Sequence, residues 1–261
     1  MIFKQFRFEP LGQASYLIGC GESGQAVVVD PSEDVGGESY ILEAADLGLT
    51  ITDVVETHIH ADYVSAARVL AVDSGAKLRL FESASVDYPF EAMVDGSTLA
   101  VGDIELRCSH TPGHTDEHVA YIGRDKKRSE QDWFVLTGDS LLVGDVGRPD
   151  LSIGPRDTNE VERRSRLLYR SITERLMTLD DHVEVWPAHF GGSRCGGVNL
   201  SGKASSTIGY ERKNNQVLQA ADEDGFVTAL AGSLRPAPDD HERIKSINMG
   251  LDPRGIHTVA S

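Results

Sequence analysis

With 261 residues, of which 40% are hydrophobic and 25% charged, the chain can bury a sizeable core in a single α/β domain. It has no apolar run near the roughly 20 residues that span a bilayer. A formal net charge of −16 repels phosphate backbones and excludes nucleic acid as an expected partner. The three cysteines, Cys20, Cys108 and Cys195, make no disulfide framework and fit a reducing compartment. Met1 to Arg7 mix apolar and polar residues like a strand and lack the regions of a signal peptide, so a cytoplasmic protein is expected.

Residues 1–30 read as a run of strands: Phe3, Phe6 and Phe8 first, then Ser15 to Gly19, then Ala26 to Asp30. Gly12 and Gly21 to Gly24 supply the turns. A helix is predicted over 38–48, where Tyr40, Ile41, Ala44, Ala45 and Leu47 share a broad face and Gly48 stops the run. Ile51, Val54 and Val55 then lead a buried strand to Thr57. In extended chain alternate side chains share a face, so His58 and His60 point the same way, with Asp62 two positions on. A second helix is predicted over 64–74, ended at Gly75.

A further strand series runs from Leu78 to about Leu142. Within it, Ile104 to Cys108 leads into His110-Thr111-Pro112-Gly113-His114-Thr115. Val119 to Ile122 and Trp133 to Leu136 read as strands, separated by the charged loop Arg124 to Asp132. The strongest helical stretch is Asn159 to Leu179, where Val161, Leu168, Ile172 and Leu176 recur at helical spacing. His182 to Trp186 is a strand ending at Pro187-Ala188-His189. Helices are expected around Gln216 to Ala221 and His241 to Leu251, with a Pro-containing loop at Arg235 to Pro238. No repeat or long linker divides the chain, so one domain over 1–261 is expected, mainly helical from 200 onward.

Polar clusters recur at strand ends: His58 and His60, His114, Asp139 after Thr137-Gly138, and His189. Residues at strand ends and in the following loops gather at one sheet edge in layered α/β proteins. A lone histidine is more often satisfied structurally, but five such residues on four strand ends point to a metal site.

Thr57-His58-Ile59-His60-Ala61-Asp62, Thr111-Pro112-Gly113-His114-Thr115, Thr137-Gly138-Asp139 and Pro187-Ala188-His189 resemble, in this order, the motifs of the metallo-β-lactamase superfamily. The resemblance implies an αββα sandwich with a metal cleft at one edge of the two sheets. Dinuclear hydrolases of the glyoxalase II type carry a histidine after the aspartate of the first motif, where this chain has Tyr63. A phenol, with a pKa near 10, is a poor ligand at neutral pH. The second metal position therefore loses a ligand, while the first keeps His58, His114 and Asp139. Two histidines and a carboxylate match the facial triad of non-haem Fe(II) oxygenases, although zinc also uses these ligands.

Val143 to Leu151, Gly192 to Gly196 and Ser205 to Arg212 resemble the persulfide dioxygenase branch, especially members fused to rhodanese domains. That branch often has an aromatic residue at the position of Tyr63. The resemblance implies one Fe(II) per chain, held by His58, His114 and Asp139. His60, Asp62, Tyr63 and His189 then orient ligands and bound water. The implied reaction takes glutathione persulfide, or a similar small persulfide, with O2 and water to sulfite and free thiol. Also implied are a homodimer and, since this chain has no rhodanese domain, a separate rhodanese-type sulfurtransferase.

Arg148, in a Gly-Pro loop, has a fork suited to a substrate carboxylate, or to a structural salt bridge. Cys195 is the candidate for exchange with a persulfide, though free cysteines are more often small buried hydrophobes. Gly197 to Lys203 spells most of a phosphate loop, but Ala204 stands where the magnesium-binding hydroxyl belongs. Two alternatives stay open: a glyoxalase II-like metal-dependent thioester hydrolase, and a non-catalytic persulfide-binding metalloprotein.

Overall fold

Strands β1 (Ile2–Phe8), β2 (Gln13–Cys20) and β3 (Gln25–Val29) form an antiparallel meander in the computed structural model, which describes residues 1–151, 157–234, 237 and 240–252. The chain then crosses over through helix α1 (Gly37–Asp46) to β4 (Thr50–Val55), and through α2 (Ala67–Ser74) to β5 (Lys77–Phe81), followed by β6 (Glu91–Met93). Strands β3 to β6 pair in parallel, giving one sheet in the order β1 to β6.

The second sheet begins with β7 (Thr98–Val101), β8 (Ile104–His110), β9 (Val119–Asp125) and β10 (Phe134–Gly138), all antiparallel neighbours. A small ribbon, β11 (Leu141–Leu142) with β12 (Asp145–Val146), follows. Helix α3 (Thr158–Ser171) carries the chain to β13 (Glu184–Pro187), parallel to β10, and β14 (Ser206–Thr207) closes the sheet. Three helices end the described chain: α4 (Ile208–Asn214), α5 (Glu223–Ser233) and α6 (His241–Asn248).

Side-chain alternation sorts the strands into layers. Ile18, Val27 and Val55 of one sheet meet Val101, Leu106, Tyr121 and Leu136 of the other in the central core. Their neighbours Leu17, Val28 and Val54 face outward onto Tyr40, Ala44 and Leu70 of the first helix layer. On the far side Ile122, Val135 and Val185 pack on Leu168, Phe226 and Leu230. The architecture is therefore an αββα sandwich. Burial on both faces is why the inner strands read as continuous apolar runs.

Several boundaries differ from expectation. The strand expected to run to Thr57 ends at Val55, because the N–H of Thr57 donates to a side chain, Asp30 Oδ1, rather than to a neighbouring strand. The α-helix expected to reach Leu179 ends at Ser171 and continues as a wider π turn over Ile172–Leu176. Around Gln216 only a short 3-10 turn forms, Gln216–Gln219. Helix α5 was not expected; its small residues Gly225, Ala229, Ala231 and Gly232 blur the apolar periodicity, but Asp222 caps it through Gly225 N–H. Of the loop expected at 235–238, all but Ala237 lies outside the described residues. Among the described residues no helix is long and apolar enough to cross a membrane.

Candidate metal centre

Parallel pairing at two places sets the site. Val29 lies beside Val55, so Asp30 follows next to Glu56 and Thr57. Gly138 lies beside Pro187, so Asp139 follows next to His189. Residues leaving four strand ends are thereby gathered between the two sheets.

Asp30 is the only non-glycine residue with a positive φ among the described residues, at 52°. That conformation is uncommon for residues other than Asn and Asp and marks a locally constrained backbone. It aims the buried carboxylate at the first motif. Oδ1 accepts from Thr57 N–H at 2.7 Å and Oδ2 from Thr57 Oγ1 at 2.9 Å. With its proton committed to Asp30, the Thr57 hydroxyl accepts from Nδ1–H of His58, 3.0 Å away. His58 Nε2 is left with a free lone pair. From the second sheet, Val119 N–H donates to Thr57 O and Tyr121 Oη to Glu56 O, fixing the same turn.

His114 is prepared in the same way by a different partner. Its Nδ1 lies 2.7 Å from the carbonyl of Arg148, so the N–H donates there and Nε2 carries the lone pair. The sharp turn ahead of it requires Gly113, whose φ is +138° and where a Cβ would come within 2.5 Å of the Leu168 backbone on α3. Asp139 is held by three contacts. Its N–H donates to His118 Nε2 at 3.0 Å, and its Oδ1 accepts from His189 Nδ1 at 2.7 Å. Gly147 presses against its carbonyl, where a Cβ would stand at 1.8 Å.

Asp139 Oδ2 then lies 3.5 Å from His114 Nε2 and 3.9 Å from His58 Nε2. His58 Nε2 and Asp139 Oδ2 are buried without any hydrogen-bond partner. Leaving such atoms unpaired in the interior is costly, and a cation among the three donors would satisfy them. Burial, with the surrounding imidazoles, pushes His58 well below the usual histidine range, and burial does the same less strongly to His114. Both are neutral and able to ligate. For Asp139, burial alone would raise the carboxyl, but His189 and the other imidazoles outweigh it and hold it well below the usual range. The residues present therefore fit a metal ion with two imidazole ligands and one carboxylate.

His60 is not in this group. Its Nε2 sits 3.2 Å from Asp30 Oδ1 and 3.1 Å from Glu56 Oε2, and its ring is packed near those of His58 and Tyr63. Burial opposes its charge, but the two carboxylates raise it well above the usual range. Tyr63 is buried, and its hydroxyl donates to the Asp30 carbonyl at 3.3 Å. Burial keeps the phenol protonated. Asp62 Oδ2 lies 2.7 Å from His189 Nε2, with the Cys195 thiol beside them.

Arg148 departs from its expected role. Its fork is not open to a substrate carboxylate: Nε and Nη2 make a buried bidentate pair with Asp150 at 2.7 and 2.8 Å. Nη1 donates to the Arg194 carbonyl, and the Arg148 carbonyl orients His114. Cys195 is 1% exposed, and its N–H is capped by Ser193 Oγ. Cys20 and Cys108 are buried in the central core. Gly197, in the stretch that spells part of a phosphate loop, packs against the Asp145 carboxylate, which would repel a phosphate.

Asp30, Glu56 and His118 were missed in the sequence. Asp30 did carry a signal, as a lone acid closing the apolar run Ala26 to Val29 just before Pro31. His118, four residues after His114 at the start of a strand, offered only its spacing.

Known proteins resemble this chain over most of its length. The chain is 29% identical over 258 residues to the mitochondrial persulfide dioxygenase ETHE1 of Bos taurus, covering 97% of this chain and 89% of that protein. It is 29% identical over 238 residues to hydroxyacylglutathione hydrolase of Polaromonas sp., covering 89% and 74%. Among solved structures, a metallo-beta-lactamase from Staphylococcus aureus superposes with a TM-score of 0.86 at 34% identity, over 95% of this chain and 72% of that one. ETHE1 from Myxococcus xanthus superposes with a TM-score of 0.80 at 26% identity, over 97% and 100%. The model of the metallo-beta-lactamase superfamily matches residues 9–189, which hold every motif that builds the site, and the chain belongs to that superfamily.

Proposed function

We propose that the protein is an iron-dependent persulfide dioxygenase that converts glutathione persulfide, or a similar small persulfide, with O2 and water to sulfite and free thiol. The observation that carries this reading is the separation of His60 from the other donors. With its Nε2 engaged by Asp30 and Glu56, the group His58, His114 and Asp139 stands as two imidazoles and one carboxylate. Three protein ligands leave coordination positions for both substrates. Similarity to persulfide dioxygenases over nearly the whole chain supports the same reading.

His58, His114 and Asp139 would hold the iron, which when bound supplies the redox chemistry that O2 requires. This chain's own residues set the conditions. Thr57 and the Arg148 carbonyl fix the tautomers that turn both Nε2 atoms inward. His118 and His189 hold Asp139 from opposite ends. His189 is raised to about 10, because Asp139 and Asp62 outweigh the effect of burial, so it keeps a proton on the inner wall of the site. In the overall change the terminal sulfur is oxidised to sulfite, O2 is the oxidant, and the thiol leaves carrying a proton. A homodimer and a separate sulfurtransferase partner belong to the same proposal.

A thioester hydrolase is the second reading, favoured by Asp62 and His189 lying beside the three donors and by similarity to hydroxyacylglutathione hydrolase. It needs a metal-lowered water pKa and no O2. Oxygen uptake by the iron-loaded protein with glutathione persulfide separates the readings. Uptake with sulfite formation is expected; hydrolysis of a glutathione thioester without oxygen uptake would replace the proposal with the hydrolase, and tight metal without turnover would make the protein a binder.

A further inference from the structure

Between β4 and α2 the chain forms no helix or strand, and this irregular turn carries His58, His60, Asp62 and Tyr63. The turn is tied to the far end of the sequence by one side chain. Asn248, the last residue of α6, stands 188 positions after His60 and is 7% exposed. Its Nδ2 donates to the carbonyls of His60 and Tyr63, both at 2.8 Å. Its Oδ1 accepts from Ser65 N–H at 2.9 Å. Two carbonyls and one N–H fix which end of the amide is nitrogen, and both amide hydrogens are used.

The end of α6 is itself fixed, so the amide acts from a firm base. Tyr88 Oη donates to the Asn248 carbonyl at 2.8 Å, and Asp87 N–H donates to the Met249 carbonyl at 2.7 Å. Gly250, with φ +79°, then turns the chain against Tyr88, where a Cβ would stand 2.9 Å from the ring. The two clamped carbonyls bracket Asp62 along the chain. Asp62 Oδ2 lies 2.7 Å from His189 Nε2, and His189 Nδ1 lies 2.7 Å from Asp139 Oδ1. His58 stands two residues before His60 in the same turn. The amide thus reaches His58 through the backbone, and Asp139 through Asp62 and His189.

We infer that Asn248 is a positioning residue of the metal centre, its amide fixing the turn that aims His58 and Asp62. Asn248 supplies no ligand, since both ends of its amide are engaged with the turn. The inference rests on His58, His114 and Asp139 as the metal ligands, and not on the reaction proposed above. Coupling between sites is reciprocal, so a turn that holds the metal is held in return by the metal.

The test is cobalt(II) titration of the metal-free full-length protein, read by the visible absorption bands of the bound ion. Asn248→Ala removes all three hydrogen bonds. It should shift the bands and weaken cobalt binding about 10- to 100-fold, as for other residues that orient ligands. Asn248→Asp keeps the acceptor for Ser65 N–H but offers no donor to the two carbonyls, so it should do no better. Tyr88→Phe loosens the same helix end with the amide left in place, and should keep the spectrum and affinity of the parent. A residue that serves stability alone would lower the unfolding midpoint of Asn248→Ala and leave the bands of the folded protein unmoved. That result would overturn the inference, as would full recovery in Asn248→Asp or an equal displacement in Tyr88→Phe. Hydrogen exchange in the parent tests it even where the variants fail to fold. Ser65 N–H should exchange more slowly with cobalt bound, and equal exchange with and without the ion would overturn the inference. His58→Ala should abolish the bands. Their survival there would overturn the ligand assignment and this inference with it, whereas unmoved bands in Asn248→Ala overturn this inference alone.

Discussion

The backbone N–H of Asp139 donates to Nε2 of His118 across 3.0 Å, and the His118 ring stacks near that of His58 at 5.0 Å between centroids. One buried imidazole thus touches two of the three candidate ligands. Burial pushes His118 well below the usual range, so it is neutral and can accept this hydrogen bond. Its Nδ1–H is taken up by Thr111 Oγ1 at 2.9 Å.

Replacing His118 with Phe should therefore weaken metal binding without touching a ligand. The ring volume is kept, but the Asp139 N–H is left buried and unpaired. A loss of about 10- to 100-fold in metal affinity is expected, as for other residues that orient ligands. Chelator competition measures it. Unchanged affinity would show that Asp139 is held well enough by His189 alone.

Much of this centre was legible before the fold. The pairing of apolar strands with polar ends placed His58, His114, Asp139 and His189 at strand termini, and the structure brings all four between the sheets. What sets their orientation was not legible. Asp30 acts on Thr57 across 27 positions, and His118 acts on Asp139 across 21. Such contacts follow from which strands pair, which local periodicity does not encode. Arg148 is the instructive case. The sequence leaves its fork free for a substrate carboxylate or for a structural salt bridge; the partner turns out to be Asp150, two positions away, where a bend invisible to strand or helix spacing folds it back.

Arg148→Ala should consequently act on stability first. It would leave the Asp150 carboxylate buried without its guanidinium, a loss of about 3–5 kcal/mol. Denaturant unfolding of the metal-free protein checks this. A stable variant whose only defect is a raised KM for persulfide would restore Arg148 to substrate binding.

Glu56 makes the stability of the metal-free protein depend on pH. Burial raises its carboxyl from 4.5 to about 7, against the lowering effect of His60. A raised acid holds its proton more tightly in the folded state. Its contribution is complete below the unfolded value of 4.5 and is lost as pH rises through about 7. The whole effect is on the order of 3 kcal/mol. Glu56→Gln, which cannot ionise, should flatten this part of the profile. Urea unfolding on either side of the transition compares the two proteins; equal slopes in parent and variant would assign the pH dependence elsewhere.

Each of His58→Ala, His114→Ala and Asp139→Ala should lose metal and oxygen uptake together, since three protein ligands leave none to spare. Metal analysis after gel filtration, beside the oxygen electrode, gives both readouts. A variant that keeps iron and full turnover would remove that residue from the ligand set.

The most direct measurement is the position of the metal itself, by anomalous diffraction from crystals of the iron-loaded protein. The account predicts one iron per chain, bonded to His58 Nε2, His114 Nε2 and Asp139 Oδ2. His60 should remain on Asp30 and Glu56. Iron bound to His60, or centred on Asp62 and His189 with the three donors empty, would contradict it.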